Sequence, residues 1–119
     1  MCFVYISCPT LGSEKERDMY KAYAHYAAKF VIDKSIGIPL VPIDYLYQYF
    51  SETEPWIIRS GNYFNQKMIE DCFMFLSCED LGVSGNMIIE REIAEKSGVQ
   101  IFRFEKHKLT KISEGGDAE

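Results

Sequence analysis

The sequence predicts an α/β domain built on a parallel sheet of four to five strands, with helices on both faces. Short apolar runs rich in β-branched and aromatic residues alternate along the chain with longer segments of helical spacing. Such alternation favours parallel strands joined by crossover helices. The length of 119 residues suits one domain, predicted over residues 1–105. In sheets of this kind, ligands bind at the carboxyl ends of the strands.

The first half of the chain predicts a strand, a loop and a long helix. Residues 2–7 are apolar and typical of a buried strand, and the Pro, Gly and Ser residues of 8–13 indicate a loop. Ser13 is the predicted N-cap of a helix that runs to about Ile32 and has Glu14 and Glu16 in its first turn. Residues at helical spacing predict its buried face: Tyr20, Tyr23, Ala24, Ala27, Ala28 and Val31.

The second half contains the weaker predictions. Prolines near both ends of 37–42 indicate a short strand or one near a sheet edge. The aromatic segment 43–61 has no clear pattern and is interpreted as a lid or a subunit interface. The remaining elements are predicted as a helix over 62–70, a strand over 71–77, a helix over 86–97 ended by Gly98, and a strand over 99–104. A frayed tail is predicted over 106–119.

Charge and hydropathy exclude several classes of partner. The net charge of −5 disfavours a nucleic acid polymer, because an acidic surface repels phosphate backbones. No apolar run approaches the roughly 20 residues of a membrane span, and the N-terminus lacks the basic flank of a secretory signal. We therefore expect a cytoplasmic protein that contacts no membrane.

The cysteines and histidines do not form a metal-binding pattern. Cys2, Cys8, Cys72 and Cys78 make no Cys-x-x-Cys pair, and the chain has only two histidines. Reduced thiols, no metal and no cofactor are expected. His25 is predicted to lie on a helix surface or at an interface, and His107 to be solvated in the tail.

The segment from Ser84 to Ala94 is the strongest candidate for a functional site. It follows an apolar strand and an acidic loop, and Ser84 is the predicted N-cap of a helix that carries Glu90 two turns in. A carboxylate at this junction can serve as a nucleophile or a base, or it can be an ordinary solvated helix residue. Three segments are predicted to converge at the site: Ser7 to Gly12, Pro42 to Tyr47, and Cys78 to Met87.

These three segments also resemble a known family. In order along the chain, they resemble motifs of the nucleoside 2-deoxyribosyltransferase family. The three motifs are Val4-Tyr5-Ile6-Ser7-Cys8-Pro9 followed by Gly12, Val41-Pro42-Ile43-Asp44, and Ser84-x-x-Met87-x-x-Glu90. The likeness is greatest to small bacterial and phage relatives and covers roughly residues 3 to 104. It implies a flavodoxin-like three-layer fold.

The resemblance also implies a reaction. In the family, a glutamate attacks C1′ of a 2′-deoxynucleoside or its monophosphate and forms a glycosyl-enzyme, which another base or water resolves. Glu90 matches this nucleophile, and Tyr5 matches a tyrosine that orients it. Substrate contacts are implied for Ser7, Pro9, Thr10, Gly12, Asp44, Ser84, Gly85, Asn86 and Met87.

The chain departs from the family pattern at several positions. Leu11 stands where relatives that take nucleotides often carry a phosphate-binding arginine, and Asn86 replaces a glycine of the turn. The region expected to hold an aspartate that handles the base reads Asn62-Tyr63-Phe64-Asn65. A further aspartate of the family is Ser84 here. The nucleophile is retained while two acidic partners are absent.

Three functions from different classes are therefore open. The first is N-glycosidic bond chemistry, either deoxyribosyl transfer or hydrolysis, on a nucleoside or nucleotide. The second is non-catalytic nucleotide binding by a sensor or sequestering protein that retains the pocket. The third is a structural or interaction module. A homodimer or larger homo-oligomer is also expected, formed through Tyr45 to Trp56 or through the tyrosine-bearing helix.

Overall fold

A computed structural model describes residues 2–44 and 64–114 and contains one five-stranded sheet. The strands are β1 (Phe3–Ser7), β2 (Ile38–Leu40), β3 (Met74–Cys78), β4 (Gln100–Glu105) and β5 (Lys108–Glu114), in the spatial order β2-β1-β3-β4-β5. The first four are parallel, whereas β5 is antiparallel to β4. The predicted parallel sheet of an α/β fold is thus confirmed for four strands.

Three helical segments accompany the sheet in the described part of the chain. Helix α1 (Glu14–Asp33) begins at the predicted N-cap, where Ser13 Oγ accepts from the backbone N–H of Glu16 and the Glu16 side chain accepts from the N–H of Ser13. Residues 64–70 form α2, and Gly85–Lys96 form α3. Gly98 has a φ of 75°, which is the left-handed conformation predicted for a glycine that ends a helix.

Two hydrophobic clusters occupy the two faces of the sheet, as the alternation of side chains along a strand requires. Val4 and Ile6 of β1 lie in the cluster that α1 covers, together with Ala24, Ala27 and Val31. Tyr5 and Phe75 lie in the other cluster, which α2 and α3 cover through Ile69 and Ala94. Both faces of the sheet are therefore buried under helices.

The prediction of a frayed tail is wrong for residues 108–114. They form β5 and pair with β4 from Glu105↔Lys108 to Gln100↔Glu114. The connecting turn consists of Lys106 and His107, which both have positive φ. This turn lacks the Asn or Gly that usually indicates a two-residue hairpin, so the sequence did not reveal it.

The strand order places a topological switch point between β1 and β3. The chain moves from β1 outward to β2, and then returns to the other side of β1 to form β3. The crevice at the carboxyl ends of such strands is the usual ligand site of open α/β sheets. Most of the aromatic segment predicted over 43–61 lies outside the described residues, so its interpretation as a lid or interface stays a prediction.

Candidate functional site

Glu90 lies buried on the second turn of α3, with only 3% of its surface exposed. Its carboxylate contacts the end of β1: Ser7 Oγ donates to Glu90 Oε1 over 2.6 Å. Ser7 is the last residue of β1 and pairs with Ser77 of β3, so the contact lies at the switch point. The interpretation of Glu90 as an ordinary solvated helix residue is wrong.

Two amides contact the other carboxylate oxygen. Asn65 Nδ2 and Asn86 Nδ2 lie 3.3 Å and 3.4 Å from Glu90 Oε2. Asn86 precedes Glu90 by four residues, which places the two side chains on one face of the helix. Three donors on two oxygens hold the carboxylate in one orientation, and this preorganisation is what a reacting group requires.

Burial raises the pKa of Glu90 from 4.5 to about 7, because the charged form loses its hydration. Hydrogen bonds from Ser7, Asn86 and Tyr5 oppose this effect, since they stabilise the carboxylate. The Tyr5 ring is fully buried and stacks on Phe75 with centroids 5.5 Å apart. The predicted neighbours Tyr5 and Glu90 are therefore brought together, and Glu90 can change its charge near neutral pH.

Asn65 is a site residue that sequence reasoning missed. It lies on α2, and only 4% of its surface is exposed. Its Nδ2 contacts Glu90, while its Oδ1 has no hydrogen-bond partner among the residues described here. A buried acceptor without a partner is costly in a folded protein, and a ligand donor or a water molecule at the site would satisfy it. The only sequence signal was its place within the segment where the family carries an acid.

The loop after β1 packs against the start of α3. Asn86 Nδ2 donates to the carbonyl oxygen of Cys8 over 3.1 Å, so one amide contacts both the loop and the carboxylate. Ser84 is the N-cap residue of α3, and its hydroxyl donates to Asn86 Oδ1. The predicted convergence of the loop after β1 with the turn before α3 is confirmed by these contacts.

Cys8 is a buried thiol beside this loop. Burial, together with the negative charges of Glu90 and Asp44, raises its pKa to about 12. The thiol therefore stays protonated at neutral pH and is a poor nucleophile. All four cysteines are free, and Cys2 is the exposed one.

Asp44 lies at the carboxyl end of β2 and pairs with α1. His25 Nε2 and Asp44 Oδ1 are 2.6 Å apart, and both side chains are about half exposed. Sequence reasoning treated these residues separately, since they are 19 positions apart and no short motif joins them. The structure assembles them into a histidine–carboxylate pair at the same edge of the sheet as Ser7.

The other predicted substrate contacts lie in different parts of the molecule. Pro9 and Thr10 are buried in the loop after β1, whereas Gly85 is exposed at the start of α3. Gly12 lies beside Glu16 at the start of α1, where an added Cβ would meet the Glu16 carboxylate. Met87 lines a separate surface cavity of about 270 Å³ together with Ser77, Val83, Ile88, Arg91, Glu92 and Glu95. Their roles as ligand contacts stay predictions.

No protein-family model and no curated protein sequence matches this chain. Within residues 2–44 and 64–114, no group of three or more His, Cys, Asp or Glu side chains is placed to hold a metal ion. Neither α1 nor another described helix is long and apolar enough to cross a membrane.

Proposed function

We propose that this protein cleaves the N-glycosidic bond of a 2′-deoxynucleoside or its monophosphate, with Glu90 as the nucleophile. The single observation that carries the proposal is the buried Glu90 carboxylate, fixed by Ser7 at 2.6 Å at the switch point of the sheet. A carboxylate held against a sugar captures the positive charge that develops at C1′ as the base departs. Water or a second base then resolves the glycosyl-enzyme.

The proposal includes the flavodoxin-like three-layer arrangement. Its support is the strand order β2-β1-β3-β4, together with hydrophobic clusters under helices on both sheet faces. The antiparallel β5 is a difference from an all-parallel sheet of this type. It lies at the far edge of the sheet, three strands from β1, and leaves the carboxyl ends of β1 and β3 unchanged.

Non-catalytic nucleotide binding is the second candidate, and Asn65 is the observation that favours it. An amide donates and accepts hydrogen bonds but does not release a proton to a departing base. Asn65 contacts Glu90 in the region where the resembled family has an acid. A protein that only binds a nucleotide would need the hydrogen bonds of this site and not its proton transfer.

The decisive experiment measures release of free base. The purified protein is incubated with the four 2′-deoxynucleosides and their 5′-monophosphates, and the products are separated by chromatography. Turnover by the wild type is expected, with a loss on the order of a thousandfold or more in Glu90→Gln, because a neutral amide replaces the nucleophilic carboxylate. Glu92→Gln is the matched control, since Glu92 lies on the same helix and is exposed.

Each result has a defined meaning. Base release that survives Glu90→Gln would overturn the proposed mechanism. No release by the wild type, with a melting temperature raised by one of the nucleotides, would select the binding function instead. If neither effect appears, the site binds none of these compounds and the proposal fails.

A further inference from the structure

We propose that His25 is the proton donor to the departing base and that Asp44 positions it. This inference rests on the proposed glycosidic function and assigns the acid that the reaction needs. A nucleobase leaves readily only when its nitrogen or oxygen is protonated or hydrogen-bonded as the bond breaks. The positions that resemble the family's acids hold Asn65 and Ser84, neither of which donates a proton readily at neutral pH.

The geometry brings the histidine–carboxylate pair to the same edge of the sheet as the nucleophile. Strands β1 and β2 are parallel with Tyr5 opposite Leu40, so the residues after both strands leave the sheet side by side. Ile43, next to Asp44, lies in the same hydrophobic cluster as Cys8. Cys8 in turn binds Asn86 through its carbonyl oxygen, and Asn86 contacts Glu90. The Cys8 loop thus links the two groups, and the proposal places the ligand over this loop, between Glu90 and His25.

The hydrogen bond between His25 and Asp44 suits the histidine for proton exchange. An ionised carboxylate only accepts hydrogen bonds, so His25 Nε2 donates to Asp44 Oδ1 and Nδ1 remains as the nitrogen that exchanges a proton. A carboxylate that orients a histidine in this way recurs in acid–base catalysis. With 51% of the His25 side chain and 41% of the Asp44 side chain exposed, a substrate can reach the ring. Glu90 is enclosed and poorly placed to serve as both nucleophile and acid.

The proton and electron pairs balance over two steps. In the first, Glu90 forms a bond to C1′, the C1′–N bond breaks with its electron pair going to the base, and the imidazolium of His25 gives its Nδ1 proton to that base. In the second, a water oxygen attacks C1′ and the bond to Glu90 breaks, which regenerates the carboxylate. The neutral His25 takes the proton of that water. No redox change occurs.

Other charged groups surround the ring. Asp44 faces it from the end of β2, and the thiol of Cys8 follows β1 on the same sheet face. On α1, Lys21 and Lys29 are one turn away on either side, and Lys29 pairs with Asp33. A pH effect from His25 must therefore be separated from these groups, and substitution of the histidine itself is the cleanest separation.

The test compares His25→Gln and Asp44→Asn with the wild type, using deoxyguanosine and 7-methyldeoxyguanosine as substrates. The base of the methylated substrate already carries a positive charge and departs without a donated proton. We expect His25→Gln to lower kcat on deoxyguanosine about a hundredfold, which is typical for loss of a general acid, and to remove the alkaline limb of the pH profile. Release of the methylated base in a single turnover should change less than threefold, because this step needs no donated proton and precedes the attack of water. Asp44→Asn should show the same pattern more weakly.

His107→Gln is the matched control, because it removes the chain's other histidine, which contacts Tyr26 at the β4–β5 turn. Equal losses on both substrates in His25→Gln, or an unchanged pH profile, would overturn the assignment of His25 while base release still depended on Glu90. A melting temperature measured for each variant identifies unfolding as the cause of an equal loss. Absence of base release by the wild type would overturn the glycosidic function itself, and the role of His25 with it.

Discussion

At the scale of single residues, Glu90 carries an energetic cost that supports its proposed chemical role. A buried carboxylate whose pKa lies near 7 destabilises the fold when it is charged. A residue with only a structural role would not retain such a cost, because glutamine at the same position would keep most of the contacts without the charge. The burial, the contact with Ser7 and the raised pKa are therefore consistent with the chemical role proposed for this side chain.

Glu90 should make the stability of the protein depend on pH. Its pKa rises from 4.5 in the unfolded chain to about 7 in the folded chain, so the folded state binds more protons between these values. The stability that protonated Glu90 contributes to the folded state is fully present below pH 4.5. It is lost as the pH rises through 7 and the buried carboxyl becomes charged. The shift corresponds to a loss of about 3 kcal/mol.

Urea unfolding of the wild type and Glu90→Gln at pH 5 and pH 8 measures this effect. We expect the glutamine variant to gain stability relative to the wild type on going from pH 5 to pH 8, by about 2.5 kcal/mol, because it has no charge to desolvate. Glu92→Gln, at an exposed position of the same helix, should show no such gain. Parallel pH dependences in the wild type and Glu90→Gln would show that Glu90 is not a carboxylate of raised pKa.

At the scale of elements, the sequence predicted those parts whose signals are local. Ser13 with Glu16 indicated the start of α1, and Gly98 indicated the end of α3, because caps depend on neighbours within one turn. The pair His25–Asp44 and the contact of Asn65 with Glu90 depend on how α1, β2 and α2 pack, which no local pattern encodes. The Glu90 position was predictable because the strand, turn and helix around it are consecutive in the chain.

The β4–β5 hairpin was missed because its turn lacks the usual residues. Lys106 and His107 have φ values of 53° and 61°, in the left-handed region that costs a side chain about 1–2 kcal/mol. Two other contacts hold the turn: the backbone N–H of Lys106 donates to Asp80 Oδ1, and His107 Nδ1 pairs with Tyr26. Tertiary contacts thus replace the local preference that Asn-Gly would supply.

Glycine substitutions at two lysines, one in this turn and one in the following strand, should change the melting temperature in opposite directions. Lys106→Gly should raise the melting temperature by a few degrees, because glycine adopts positive φ without strain and the backbone bond to Asp80 is kept. Lys108→Gly, in β5, should lower it by a similar amount, because glycine weakens a strand. Thermal unfolding followed by circular dichroism measures both, and a decrease in both variants would contradict the strained turn.

At the scale of the whole molecule, the two halves of the proposed site come from opposite faces of one sheet. Glu90 and Asn65 approach from the side covered by α2 and α3, whereas His25 approaches from the side covered by α1. The strands β1 and β3 separate the two groups, and the site exists only where these strands end. Such an arrangement would tie the proposed chemistry to the sheet topology, since displacement of either helix layer would separate the proposed nucleophile from the proposed proton donor.

The same helix layer carries one of the two surfaces for which self-association is predicted. Helix α1 exposes Met19 and Tyr26, each at about half of its surface, and their spacing of seven residues places these large apolar side chains on one face, where they favour burial against another protein surface. We expect a homodimer or larger assembly by light scattering coupled to size exclusion at micromolar concentration. Met19→Glu should shift the mass toward the monomer, because it places a charge on this surface, while Glu92→Gln on α3 should leave the mass unchanged. A monomeric wild type would contradict self-association, and base release measured on that monomer would show that the site is complete within one chain.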